Sequence, residues 1–70
     1  MITLKSQDNF NQMVAKKGYS KRSFARKSGL SESTFIQISN GKQSPRPETA
    51  KKIYKTLGLT FDDVFMIKKE

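Results

Sequence analysis

The sequence predicts a single all-α domain of five short helices, and three observations lead to this prediction. The chain has only 70 residues, which is the length of one small domain. Glycine and proline residues divide it into five segments. Within these segments, apolar residues recur at intervals of three and four, the spacing that places them on one face of a helix.

The composition excludes several classes of function. The sequence contains no cysteine and no histidine, which leaves no disulfide, no thiolate metal site and no Ser/His catalytic pair. Two adjacent carboxylates, Asp62 and Asp63, are better explained as favourable charges at a helix start than as catalytic acids. We therefore expect a protein that is not an enzyme and that uses no metal, cofactor or small-molecule ligand.

The charge of the chain is strongly positive. Fourteen lysines and arginines oppose six acidic residues, and eleven of the basic residues lie between Lys16 and Lys55. A field of this sign attracts polyanions, so the candidate partners are nucleic acid, an acidic protein and an anionic membrane surface. No apolar run is long enough for a secretory signal or a membrane span, and we expect a cytoplasmic protein with no membrane partner.

The first helix is predicted at residues 7–17. Ser6 lies in the N-cap position, where a serine side chain accepts a hydrogen bond from a free backbone N–H. Phe10 and Val14 lie four residues apart and form its apolar face. Gly18 ends the helix, because glycine readily adopts the left-handed conformation found at helix ends.

The second and third helices are predicted at residues 21–27 and 32–40. Ser20 and Ser31 precede them as N-caps. Gly41 ends the third helix.

The fourth helix begins at Pro47, since proline is favoured at the first helical position. Gly58 ends it. The fifth helix is predicted at residues 61–66, with Thr60 as its N-cap.

The same local device recurs at three of these helix starts. In a hydrophobic staple, the residue before the N-cap packs against the fourth helical residue and fixes the angle of entry. Three such pairs support the helix boundaries and assign their members to the core. The pairs are Tyr19 with Phe24, Leu30 with Phe35, and Leu59 with Val64.

The second and third helices are joined by only four residues, 28–31, so they must cross steeply. Ala25 is small enough for close approach, and Gly29 forms the corner. The start of the third helix then projects from the surface. This arrangement is how a helix-turn-helix presents a recognition helix to the major groove of DNA.

The stretch SKRSFARKSGLSESTFIQISNGK, residues 20–42, resembles the helix-turn-helix of the phage Cro/repressor (Xre) family. The segment PRPETAKKIYKTLGLTFDDVF, residues 45–65, is similar to that family's fourth and fifth helices. The resemblance implies a lambda-repressor-like fold of five helices that usually binds a palindromic operator as a dimer. We therefore expect a transcriptional regulator of double-stranded DNA, a Cro-like phage or prophage repressor that acts by operator occupancy.

The resemblance places base contacts on the outward face of the third helix. Glutamine pairs with adenine, glutamate accepts from cytosine, and serine serves either base. Ile36 either touches a thymine methyl or is an ordinary surface residue. Glu32 has a second interpretation, as a carboxylate that stabilises the positive end of the helix dipole. The predicted base-contacting residues are Glu32, Ser33, Gln37 and Ile36.

Phosphate contacts are expected from the start of the second helix and from the loop after the third. The family often has glutamine where this chain has Lys21, which keeps the phosphate role as a point charge and is expected to pair with Glu32. Backbone N–H groups near residues 41–43 are further candidates. The predicted phosphate-contacting side chains, each of which has the alternative of an ordinary solvated group, are Lys21, Arg22, Arg26, Asn40, Lys42 and Arg46.

Other positions depart from the family. An arginine in its first helix and a glutamate at the end of its third are often joined by an ion pair. This chain has Val14 and Ser39 at these two positions. Because both charged partners are absent together, no buried charge is left without its partner, and we expect a more apolar contact there. Ser28 stands where the family usually has an apolar residue.

The predicted organisation is an N-terminal arm at residues 1–5, a helix-turn-helix domain at 6–67 and a frayed C-terminus at 68–70. Apolar residues near the end of the chain either complete the core or form a weak homodimer on DNA. The same fold could instead be a protein-interaction module, such as an antirepressor, an antitoxin or a partner of another repressor. The predicted dimer or partner surface is Leu59, Phe61, Phe65 and Met66.

Overall fold

The computed structural model describes residues 1–69. This part of the chain contains five helices and a two-stranded sheet. The five predicted helices are confirmed: each begins at the predicted residue, and the C-terminal ends differ from prediction by at most two residues. In chain order the elements are β1 (Ile2–Leu4), α1 (Gln7–Lys16), α2 (Lys21–Ser28), α3 (Glu32–Ser39), α4 (Pro47–Leu57), α5 (Phe61–Val64) and β2 (Phe65–Ile67).

The first three helices begin where the serine pattern places them. The side chains of Ser6, Ser20 and Ser31 each accept a hydrogen bond from the backbone N–H three residues later, at 3.1–3.2 Å. Each bond satisfies one of the N–H groups that a helix start leaves without an intrahelical partner. Local sequence therefore decides where these helices begin.

Three phenylalanines from three helices form the centre of the core. Phe24 of α2 and Phe35 of α3 pack with ring centroids 4.9 Å apart, and Phe10 of α1 lies 5.9 Å from Phe35. Offset and edge contacts at these distances add to the stabilisation from burial. The buried apolar residues are Phe10, Val14, Phe24, Ala25, Phe35, Ile38, Ala50, Ile53, Leu57, Val64 and Phe65.

The corner between α2 and α3 depends on Gly29. Its φ of +80° lies in the left-handed region, which side chains disfavour and glycine adopts freely. The next N–H, that of Leu30, donates to the carbonyl of Ala25 at 2.8 Å and closes the end of α2. Ser28 is buried, and its hydroxyl donates to the carbonyl of Phe24 at 2.8 Å, so this departure from the family strands no polar group.

The fifth helix is shorter than predicted. It ends at Val64, and Phe65–Ile67 is the strand β2, antiparallel to β1 with Ile2 opposite Ile67 and Leu4 opposite Phe65. The apolar spacing near the C-terminus fits a helix equally well. The pairing with a segment more than 60 residues away is what selects the strand.

The two termini are joined by this sheet. The residues predicted as an N-terminal arm form β1, whose Ile2 and Leu4 pack against the core. Met1 and Lys68 exchange two main-chain hydrogen bonds, of 3.0 and 2.8 Å, so the ladder continues into the segment predicted to fray. Glu70, the last residue of that segment, lies outside the described residues.

The carboxylate of Asp63 caps the start of α5. Its Oδ2 accepts hydrogen bonds from the backbone N–H of Thr60 at 3.0 Å and from the Thr60 hydroxyl at 2.9 Å. These two bonds, with a smaller contribution from the charge of Lys5, hold the pKa of Asp63 below its ordinary value.

We expect Asp63→Asn to reduce the loss of stability in acid. A carboxylate whose pKa is lower in the folded state stabilises that state fully above its unfolded pKa of about 3.9, and this contribution is lost as the pH falls through the folded pKa. Urea unfolding followed by circular dichroism from neutral to acidic pH measures the effect. Asp62→Asn, at the neighbouring exposed carboxylate, is the control; an acid loss unchanged in Asp63→Asn would contradict the prediction.

Candidate nucleic-acid interface

The helix α3 has one face buried in the core and one face open. Phe35 and Ile38 are 0% and 1% exposed and anchor the helix from behind. Glu32, Ser33 and Gln37 are exposed on the other side. Three polar side chains that can donate or accept hydrogen bonds are therefore free to meet a partner surface.

Ile36 differs from its three polar neighbours, because it is half-buried. A half-buried isoleucine keeps part of its apolar surface available on the exposed face. Ile36 lies four residues after Glu32 and three after Ser33, so it is their neighbour on the surface of α3.

The start of α2 brings positive charge next to α3. Lys21, Arg22 and Arg26 are all exposed. The ammonium group of Lys21 donates a hydrogen bond to Oδ1 of Asn40 at 3.4 Å, whereas Glu32 was its expected partner. Lys21 contacts Asn40 because the end of α3, and not its start, lies within reach of its side chain.

The loop after α3 is held by its own backbone. The N–H of Gly41 donates to Ile38, and the N–H groups of Lys42 and Gln43 both donate to the carbonyl of Gln37, at 2.9 and 3.2 Å. All three N–H groups already have acceptors, so the expected contacts with phosphate oxygens stay a prediction and would have to compete with these bonds. The exposed side chains of Lys42 and Arg46 remain the charged groups of this segment.

Contacts from the rest of the fold brace the same loop. The hydroxyl of Ser44 donates to the carbonyl of Ile2 in β1. The side-chain amide of Gln7 lies against Gly41. Gly41 has a φ of +74°, a backbone conformation that favours glycine. The loop that carries Lys42 is thus hydrogen-bonded to β1 and lies against the Gln7 side chain of α1.

The positions of the missing family ion pair are both buried. Val14 is 3% exposed and Ser39 is fully buried. The Ser39 hydroxyl donates to the carbonyl of Ile36 at 3.0 Å, and the amide of Asn11 reaches the Ser39 carbonyl at 3.5 Å. A short polar network at the end of α3 therefore stands where the family often has two charges.

The apolar surface predicted near the C-terminus is only partly present. Phe65 is fully buried, and its ring centroid lies 5.7 Å from that of Phe61. Phe65 therefore belongs to the core, and its prediction as a surface residue is wrong. Leu59 and Phe61 are half-buried, and Met66 is exposed. Ile67 is exposed as well and was missed, because its exposure depends on the strand that the helical pattern does not indicate.

Two helices joined through the turn at Gly29, with an open polar face on α3 and exposed basic side chains on α2 and on the loop after α3, define a helix-turn-helix protein. Residues 12–64 match the sequence profile of the helix-turn-helix family HTH_3. This match covers most of the chain, which therefore belongs to the Xre/Cro-like helix-turn-helix family. The protein is a DNA-binding regulator of that class.

No curated protein matches the chain. None of the helices within residues 1–69 is long and apolar enough to cross a membrane.

Proposed function

We propose that the protein is a Cro-like repressor of a phage or prophage, which works in the cytoplasm by occupying an operator that RNA polymerase needs. The observation that carries this proposal is the open face of α3, where Glu32, Ser33 and Gln37 point away from the core. A helix held in this way can enter the major groove, which admits one α-helix. Repression then follows from occupancy of the site.

Base recognition is assigned to the open face. Gln37 is the residue best suited to a bidentate contact with adenine, Glu32 can accept from the amino group of cytosine, and Ser33 can bond to either. Ile36, a neighbour of Glu32 and Ser33 on this face, would touch a thymine methyl. Because Glu32 also lies in the first turn of α3, its carboxylate interacts favourably with the positive end of the helix dipole and stabilises the helix even without DNA.

Phosphate recognition is assigned to six exposed groups around α3. Lys21 and Asn40 hydrogen-bond to each other, and this contact holds the lysine near the end of the recognition helix. Phosphate contacts set the position of a protein on the duplex, whereas base contacts set its specificity. The proposed group is Lys21, Arg22, Arg26, Asn40, Lys42 and Arg46.

Two copies would bind a palindromic operator, one on each half-site. Half-sites of such operators are about 34 Å apart, one helical turn of DNA. Leu59, Phe61 and Met66 supply partly exposed apolar surface for a weak contact between the copies.

The direct test is a gel shift with DNA that flanks the protein's own gene. We expect binding at least about 1,000-fold tighter to this DNA than to a random duplex, the lower end of the range for specific regulators. Equal affinity for both duplexes would rule out a sequence-specific repressor at that site.

Gln37→Ala should weaken binding to the operator by roughly 5-fold to 150-fold, which corresponds to about 1–3 kcal/mol for one lost bidentate base contact. Affinity for a random duplex should hardly change, because no phosphate contact is removed. Competition gel shifts measure both values. Gln12→Ala, at an exposed glutamine of α1, is the matched control and should bind both duplexes as the unmodified protein does.

A protein-interaction module is the second candidate function, favoured by the exposed Met66 and Ile67. Lys21→Glu combined with Lys42→Glu separates the two functions. A DNA-binding protein should lose most of its affinity, and the slope of log affinity against log salt should fall by about one per lost phosphate contact.

The control for this double variant is Lys52→Glu combined with Lys55→Glu, which changes the net charge equally but lies outside the proposed contacts. If both double variants lose affinity for DNA to the same extent, net charge alone governs binding and the assigned contacts are wrong. If neither variant changes DNA binding, the interaction module is the better interpretation.

A further inference from the structure

An apolar groove lies between the last turn of α1 and the end of α4. It has a volume of about 310 Å³ and is lined by Met13, Lys16, Lys17, Leu57 and Leu59. Three of these residues are apolar, and the lysines add the methylene stems of their side chains. None of the five belongs to the proposed base or phosphate contacts, so the groove is a separate feature of the molecule.

Main-chain hydrogen bonds fix the two helix ends that form the groove. The N–H of Tyr19 donates to the carbonyl of Val14 at 3.2 Å, and the N–H of Leu59 donates to the carbonyl of Tyr54 at 2.9 Å. Such bonds close a helix end and keep it from fraying. The groove is therefore formed in advance, and a partner does not have to order its walls.

The groove lies away from the loop that carries proposed phosphate contacts. The helix α1 begins at Gln7, whose side-chain amide lies against that loop, and α4 begins at Pro47, directly after Arg46. Because a helix rises about 1.5 Å per residue, Met13 lies about 9 Å along α1 and Leu57 about 15 Å along α4 from these starts. An occupant of the groove need not overlap the proposed DNA contacts.

The chemistry of the groove combines an apolar floor with a positively charged rim. Lys16 and Lys17 are exposed, and their ammonium groups attract carboxylates and phosphates alike. A nucleic-acid backbone presents only phosphate and sugar, so the apolar floor would contribute nothing to its binding. A protein segment that carries both acidic and apolar side chains uses the rim and the floor together.

The lining residues also indicate the conformation of such a segment. Proline-rich segments dock on grooves lined by aromatic rings, and extended segments add to the edge of a sheet, whereas an amphipathic helix lies in a groove of aliphatic side chains. This groove is lined by Met13 and two leucines, and by no aromatic residue or strand. The methionine side chain is flexible and can adapt to apolar groups of different shape.

A second copy of this chain is a poor occupant. Adjacent acidic residues occur once in the sequence, at Asp62 and Asp63. The carboxylate of Asp63 already accepts hydrogen bonds at the start of α5, and the apolar residues that follow, Val64 and Phe65, are buried. This segment cannot place them in the groove of another copy without unfolding its own end of the core.

We propose that the groove binds an acidic amphipathic helix of a different protein. Apolar side chains of that helix contact Met13, Leu57 and Leu59, and its carboxylates lie beside Lys16 and Lys17. The contact is weak, because the groove is small beside the roughly 1,200 Å² of an ordinary stable interface. Of the residues assigned above to the contact between copies only Leu59 lines the groove, so partner binding needs neither operator DNA nor a second copy.

The probe is a fluorescein-labelled synthetic peptide of about 15 residues, long enough to form a helix. It carries two leucines four positions apart, which lie on one helical face, and glutamate or alanine elsewhere. One matched peptide has serine in place of the leucines, and another has lysine in place of the glutamates. Fluorescence polarisation measures the affinity of each for the protein without DNA.

The peptide with leucine and glutamate should bind at least about fivefold more tightly than either matched peptide, because each lacks one half of the proposed contact. Equal binding of the serine peptide would mean that charge alone attracts the probe. Equal binding of the lysine peptide would mean that the rim plays no part. Either result, or no binding of the probe at up to about 1 mM, would overturn the proposal.

Two double variants with the same change of net charge locate the site. Lys16→Glu combined with Lys17→Glu should lower the affinity for the probe at least about fivefold. Lys21→Glu combined with Lys42→Glu, on the proposed DNA interface, should lower it less than about twofold at physiological salt, where distant charges are screened. Affinity for DNA should respond in the opposite order, with the larger loss in the second variant.

Equal loss of probe affinity in both variants, or none in the first, would contradict binding in the groove. A first variant that loses as much DNA affinity as the second would make its lysines DNA contacts and would also overturn the proposal. Circular-dichroism melts establish that the variants are folded, and if the first unfolds the three peptides decide. Because the probe is measured without DNA, these results are independent of the gel shifts that test the repressor function.

Discussion

The contact between Phe24 and Phe35 is the interaction on which the helix-turn-helix depends. Their rings, 4.9 Å apart, join α2 to α3, and Phe10 packs against both from α1. Because these rings fill the space behind α3, the opposite face of the helix is exposed to solvent. Exposure of Glu32, Ser33 and Gln37 is thus a consequence of the core, and Gly29 supplies the backbone conformation that the sharp corner requires.

The C-terminal end of α3 is also held in place, by the loop that follows the helix. Two backbone bonds to the Gln37 carbonyl fold the loop back on α3, and Ser44 ties the loop to β1. These contacts leave charged side chains as the groups available to phosphate oxygens. A rigid helix with basic side chains on a braced loop can approach DNA without first ordering its backbone, and ordering would cost about 1–2 kcal/mol per residue.

Much of this fold could be predicted because its determinants are local. The serine caps bond to N–H groups three residues away, and the first predicted staple is present as an edge contact between Tyr19 and Phe24 at 5.4 Å. The outward face of α3 followed from the spacing of Phe35 and Ile38. The Lys21 contact was predicted wrongly, because Glu32 and Asn40 lie at opposite ends of one helix and only the packing angle of α2 decides between them.

The sequence by itself determined where the five helices begin, since each start depends on residues within a few positions of one another, and it determined the family through a pattern that spans residues 12–64. Tertiary structure alone decided the terminal sheet. The apolar spacing of residues 61–66 fits a helix, and the chain leaves that helix at Val64 because Phe65–Ile67 finds hydrogen-bond partners in Ile2–Leu4, about 60 residues earlier. The same long-range pairing places both Phe65 and Ile67 on one face of β2, where Phe65 packs against Phe61 in the core and Ile67, at the end of the strand, stays exposed.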